Sequence, residues 1–124
     1  MANLLLVDDD ADFLKLQGEL LRLAGYSVVT ASNGKEAIRM AKDHAFDLVI
    51  TDLVMPEKEG IETIMELRRK FPALKIIAMS GGGQGGAEDY LLMARHLGAS
   101  QTLAKPFTGQ ELMEAVSTVL ERTA

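Results

Sequence analysis

Leu4-Leu5-Leu6-Val7-Asp8-Asp9-Asp10 decides the fold: four apolar residues without alternation, broken by three consecutive carboxylates. A run this short and apolar at every position reads as a strand buried on both faces, as in a parallel sheet covered by helices on either side. Further runs follow at residues 26–31, 48–51, 76–79 and 101–104, separated by stretches of helical character. In the first interval Asp10 is placed to cap a helix in which Phe13, Leu16, Leu20 and Leu23 recur every three or four residues, and Gly25 stops it. The second helix follows Ser32-Asn33-Gly34, with Ala37, Ile38 and Ala41 on one face; the third follows Gly60 and carries Ile61, Ile64, Met65 and Leu67 before Pro72. A fourth is expected over roughly 87–97, ended by Gly98, and a fifth from near Thr108 with Leu112, Val116, Val119 and Leu120.

Runs one, three and four are apolar on both faces while two and five are more mixed, so the sheet should have weaker edges. Alternating β and α elements with right-handed crossovers give a doubly wound α/β fold. The expectation is a five-stranded parallel sheet in the flavodoxin-like order 2-1-3-4-5, a (βα)5 three-layer sandwich forming one domain over residues 1–124.

The 124 residues are enough for one sizeable core and too few for two ordinary domains. With 18 acidic residues against 13 basic, a formal net charge of -5 and no basic run, the chain offers no broad nucleic-acid footprint. It has no cysteine, which removes disulfides and thiolate metal sites and agrees with a reducing compartment; the cytoplasm is the expected location. The first apolar run is too short for a signal peptide or a membrane span.

In an open α/β sheet the loops converge at the carboxyl ends of the strands. The first loop brings Asp8, Asp9 and Asp10 there, the third Asp52, the fourth Ser80 and the fifth Lys105. Several carboxylates brought together repel one another unless a cation neutralises them, and an all-oxygen set without His or Cys suits Mg²⁺. Adding a hydroxyl and a lysine makes a pocket suited to a phosphoryl group, with Asp52, alone at the tip of the central strand, the best-placed carboxylate nucleophile.

Four segments, Leu6-Val7-Asp8-Asp9, Asp52-Leu53-Val54-Met55-Pro56 with Gly60, Met79-Ser80-Gly81 and Lys105-Pro106-Phe107, together make the chain resemble the receiver domain of two-component response regulators. The resemblance covers essentially the whole chain, with the motifs in the family's order. It implies that Asp52 is the phosphoacceptor, and that Asp8, Asp9, the Asp52 carboxylate and the backbone carbonyl of Val54 hold Mg²⁺. It further implies that Ser80 and Lys105 bind the phosphoryl oxygens, and that the Lys105-Pro106 peptide is cis. The phosphodonor it implies is a phosphohistidine on a sensor histidine kinase. The receiver would pass the signal to a protein target or relay phosphate to a histidine phosphotransfer partner, catalysing only its own phosphorylation and dephosphorylation.

One departure from the family stands at Thr102, where an aromatic switch residue is usual, and this puts the usual route of signal transmission in doubt. The loop Gly81-Gly82-Gly83-Gln84-Gly85-Gly86 is expected to be mobile, and its ordering on phosphorylation would replace the switch. Val54 and Gly82 occupy positions that tune phosphoryl lifetime in the family.

Rival readings fail on particular residues. Asp10 and Asp12 are better read as favourable charges at a helix N-terminus. An EF-hand over Asp8, Asp10, Asp12 and Glu19 founders on Phe13, where glycine is required. Gly81, Gly83 and Gly86 match a dinucleotide-binding spacing, but Lys105-Pro106 stands where an acidic residue would hold ribose, and no Walker lysine follows. A haloacid dehalogenase-type phosphatase would need Thr or Val where Asp12 stands, and room for a cap; it would turn over phosphate esters, whereas a receiver labels stoichiometrically. The acid, hydroxyl and lysine set argues against a pseudo-receiver without the chemistry. His44 and His96 read as surface residues, and the seven methionines as packing. With no residues left for an output domain the chain reads as a stand-alone receiver, and the alternative that it is a fragment of a longer regulator stays open.

Overall fold

The computed structural model describes residues 2–53, 59–81, 92 and 94–121. Its strands are β1 (Asn3–Val7), β2 (Ser27–Ala31), β3 (Leu48–Asp52), β4 (Lys75–Gly81) and β5 (Gln101–Lys105). Its helices are α1 (Ala11–Leu23), α2 (Gly34–Asp43), α3 (Glu59–Lys70) and a C-terminal helix, Gly109–Glu121. All four strand pairings are parallel and the order is β2-β1-β3-β4-β5, as the pattern of runs implies. Of the helix expected over 87–97, Leu92 and Ala94 to His96 are helical, Leu97 is already in the turn that follows, and residues 87–91 and 93 lie outside the described residues.

The central strands alternate between two cores. Leu4, Leu6, Leu48, Ile50, Ile77 and Met79 point to the side covered by α1 and the C-terminal helix, where they meet Leu14, Leu21, Leu112 and Val116. Leu5, Val7, Val49, Ile76 and Ala78 point to the other side and meet Ala37 and Ala41 of α2 and Ile64 and Leu67 of α3. This explains the missing alternation in β1: every residue from Leu4 to Val7 is fully buried, two against each helix layer. Each such leucine contributes about 1.5–3 kcal/mol on transfer from water.

Capping sets where the helices begin. Asp10 accepts from the amides of Asp12 and Phe13 at 3.0 and 3.2 Å, Asn33 accepts from Glu36 at 2.8 Å, and Thr108 and Glu111 form a reciprocal capping box at 2.8 and 3.0 Å. Helix α1 ends where Gly25 adopts φ +103° and the Tyr26 amide reaches back to the Leu21 carbonyl at 3.2 Å.

One packing expectation is corrected. The buried stripe of α1 is Leu14, Gly18 and Leu21, whereas Leu16 and Leu23 are 57% and 85% exposed. Helix α1 carries leucines at both spacings, and the stripe that includes Gly18 is the one that faces the sheet. Met65 is likewise exposed on α3, and Thr63 is buried.

Candidate functional site

Register puts the acidic residues together. Val7 pairs with Thr51, so Asp8 and Asp52 reach the same level on adjacent strands, which lie about 4.8 Å apart in a sheet. Asp8 is 1% and Asp52 5% exposed, so both charges need local partners. The Asp8 Oδ1 accepts from the Asp10 amide at 2.9 Å, which fixes the carboxylate at the start of α1. Asp9 follows on the exposed side, and one carboxylate oxygen from each of Asp8, Asp9 and Asp52 lies within 4.8 Å of the others.

Lys105 ends β5 and is followed by a cis peptide to Pro106. Its ammonium donates to Asp8 Oδ2 at 2.5 Å and to Asp52 Oδ2 at 3.2 Å. Burial works against the charged lysine, but the hydrogen bond to Asp8 and the charge of Asp52 outweigh it and hold its pKa above the ordinary value of 10.5. The ammonium also lies 4.0 Å from the centroid of the Phe13 ring, and the Phe13 and Phe107 rings form a T-shaped pair, centroids 6.0 Å apart at 84°.

Ser80 lies in β4 one residue beyond Met79, the register partner of Asp52, and is fully buried; its hydroxyl donates to the Gly81 carbonyl at 3.4 Å, a long contact. Thr102 is half-buried in β5 opposite Ala78. Gly60 packs against the end of β3 so closely that a Cβ there would stand 2.4 Å from the carbonyl oxygens of both Asp52 and Leu53. Val54, Gly82 and the rest of the glycine loop up to Gly86 lie outside the described residues.

The structure thus brings Asp8, Asp9, Asp52 and Lys105 into one crevice and sets Ser80 at the neighbouring strand end. Sequence reasoning placed Phe13 in the core and missed its ring under Lys105. The available signal was its position four residues after Asp9, in the first turn of the helix that begins at the site. His44 and His96 are exposed, as expected. Among the described residues no helix is long and apolar enough to cross a membrane.

The donor set fits a hard divalent cation. All three groups offer carboxylate oxygens, and three carboxylates against one ammonium leave two negative charges. Asp8 and Asp52 are already bridged by Lys105, so a cation entering here would compete with the ammonium for their oxygens.

Comparison with known proteins places the chain among response regulators. The chain is 36% identical over 126 residues to a CpxR homolog, a transcriptional regulatory protein of Haemophilus influenzae, covering 100% of this chain and 52% of that protein. It is 38% identical over 123 residues to the transcriptional regulatory protein GlrR of Escherichia coli, covering 99% of this chain and 27% of that one. The chain therefore spans about half the length, or less, of these curated relatives. Among solved structures, a response regulator receiver domain protein from Clostridium thermocellum superposes with a TM-score of 0.90 at 31% identity, covering 99% of this chain and 97% of that one. The chemotaxis protein CheY4 of Vibrio cholerae superposes at 0.85 with 30% identity, covering 97% and 99%. The response regulator receiver domain family itself matches over residues 4–117, and the chain belongs to that family and to two-component signal transduction.

Proposed function

We propose that this receiver takes a phosphoryl group from a phosphohistidine of a sensor histidine kinase, or of a histidine phosphotransfer protein, onto Asp52. The observation that carries the proposal is Lys105 bridging the buried Asp8 and Asp52, a cation held where phosphoryl oxygens would arrive. Mg²⁺ is the cation that suits the site, with Asp8, Asp9 and Asp52 as side-chain ligands; the backbone carbonyl of Val54 is a further ligand that the family resemblance implies. When bound it supplies charge neutralisation for the incoming phosphoryl oxygens.

An Asp52 carboxylate oxygen attacks phosphorus, the bond from phosphorus to the donor nitrogen breaks, and the imidazole, protonated on its other nitrogen, leaves as the neutral ring with the electron pair. A carboxylate nucleophile needs no general base to remove a proton. Lys105 turns from the carboxylates to the phosphoryl oxygens, and the Ser80 hydroxyl, now on a long contact to its neighbour's carbonyl, is free to reorient towards them. Asp8, fixed by the Asp10 amide, stays in place as a negative wall.

On this reading the domain changes only itself, and its signal leaves by contact with a protein target or by onward transfer to a histidine. The test is stoichiometry. With Mg²⁺ and acetyl phosphate the protein should take up about one phosphoryl group per chain and lose it slowly, and a chelator should prevent labelling. Continuous turnover of phosphate esters would favour a phosphatase instead.

A further inference from the structure

We propose that Phe13 is a positioning residue for phosphoryl transfer, its ring confining the Lys105 ammonium to the side of the crevice on which Asp8 and Asp52 stand. The inference rests on the reading of Asp52 as phosphoacceptor. A lysine side chain has a flexible four-carbon stem and, unlike arginine, no planar group to align it. Among the described residues, three contacts restrain this one: Asp8 at 2.5 Å, Asp52 at 3.2 Å and the Phe13 ring at 4.0 Å.

Two of those contacts must change during the reaction. An Asp52 oxygen enters the bond to phosphorus, and the ammonium shifts towards the phosphoryl oxygens, loosening its hold on Asp8. Among the described residues the ring is the restraint that uses no oxygen of the reacting site. The negative face of the ring attracts the ammonium in either position, so the lysine moves along a wall rather than out into water.

Phe13 is itself held on both sides. Its amide donates to the capping Asp10 at 3.2 Å, which fixes it in the first turn of α1. Its ring packs in a T-shaped contact with that of Phe107, two residues beyond Lys105, at 84°. The start of α1 and the end of β5 are thereby tied together with the lysine between them. A leucine at position 13 would fill much of the same volume but offer no negative face.

The test compares the whole chain with Phe13→Leu, Phe13→Met and Phe13→Tyr. In the wild type the ring should shift the Lys105 ε-methylene protons upfield of those of the other lysines; the shift should vanish in the Leu and Met variants and persist in the Tyr variant. Labelling by acetyl phosphate at saturating Mg²⁺ should slow about three- to tenfold with Leu or Met, and Tyr should restore it. Mg²⁺ affinity should stay within about twofold throughout, because the carboxylate ligands are untouched. Wild-type labelling rates in the folded Leu and Met variants, or a lysine shift that survives them, would overturn the inference while leaving the acceptor reading intact. A wild type that takes no label sinks the acceptor reading and this inference together.

Discussion

Replacing Gly60 with alanine sets two effects against each other, and the structure says which wins. Gly60 is the second residue of α3, where alanine would gain at most about 1 kcal/mol of helix propensity. The added Cβ, however, would lie 2.4 Å from the Asp52 and Leu53 carbonyl oxygens and 2.5 Å from the Leu53 Cα, all backbone atoms that cannot swing aside. Ordinary contacts are at about 3.5–4.0 Å, so α3 and the end of β3 must part by roughly 1 Å. Overpacking of this kind costs about 3 kcal/mol at the upper end of its usual range, leaving a net loss of about 2 kcal/mol after the propensity gain. For a chain of this size that is a fall in Tm of about 8 °C. Urea unfolding followed by circular dichroism should show a lower midpoint with an unchanged slope. Because the strain falls on the backbone of Asp52 itself, Mg²⁺ affinity should drop as well. A variant as stable as the wild type, or more so, would refute the close packing of α3 on β3.

Lys105→Met removes the ammonium that competes for Asp8 and Asp52, so titration calorimetry should show Mg²⁺ binding several-fold tighter while beryllofluoride binding weakens by about tenfold or more; weaker Mg²⁺ binding would contradict the competition. The same lysine sets an alkaline limit. Its folded pKa is raised, so its contribution is complete below the ordinary value of 10.5 and is lost as pH rises through the higher folded value. Unfolding of metal-free protein followed against pH should therefore show a loss of stability in that range that Lys105→Met lacks. On α1, Leu21→Ala should cost about 2–5 kcal/mol in urea unfolding and Leu16→Ala no more than about 0.5 kcal/mol, since the first side chain is fully buried and the second lies in solvent. Equal costs would mean that α1 packs on the other stripe.

The strands were legible because being buried on both faces leaves a plain mark: Leu4 to Val7 and Leu48 to Ile50 have no polar alternation to confuse them with anything else. Once the order of strands is inferred, the meeting of Asp8, Asp52 and Lys105 follows, since each closes a strand or follows its last residue. The face of α1 was not legible. Leu14 and Leu21 compete with Leu16, Leu20 and Leu23, and periodicity alone cannot say which stripe turns to the sheet; Gly18, which brings the helix close to Thr30, was the discriminating residue. The contact of Phe13 with Lys105 was hidden for another reason. It joins the start of the first helix to the end of the last strand, and both residues have sufficient explanations alone, one as core and the other as a phosphoryl ligand. Thr102, where the resemblance leads one to expect an aromatic side chain, is half-buried opposite Ala78.

The central claim is that Asp52 accepts the phosphoryl group, and the intact mass of the protein after incubation with Mg²⁺ and acetyl phosphate tests it most directly. The account predicts one added phosphoryl group on the wild type and none on Asp52→Ala. An equal adduct on the variant, or none on the folded, Mg²⁺-binding wild type, would contradict it.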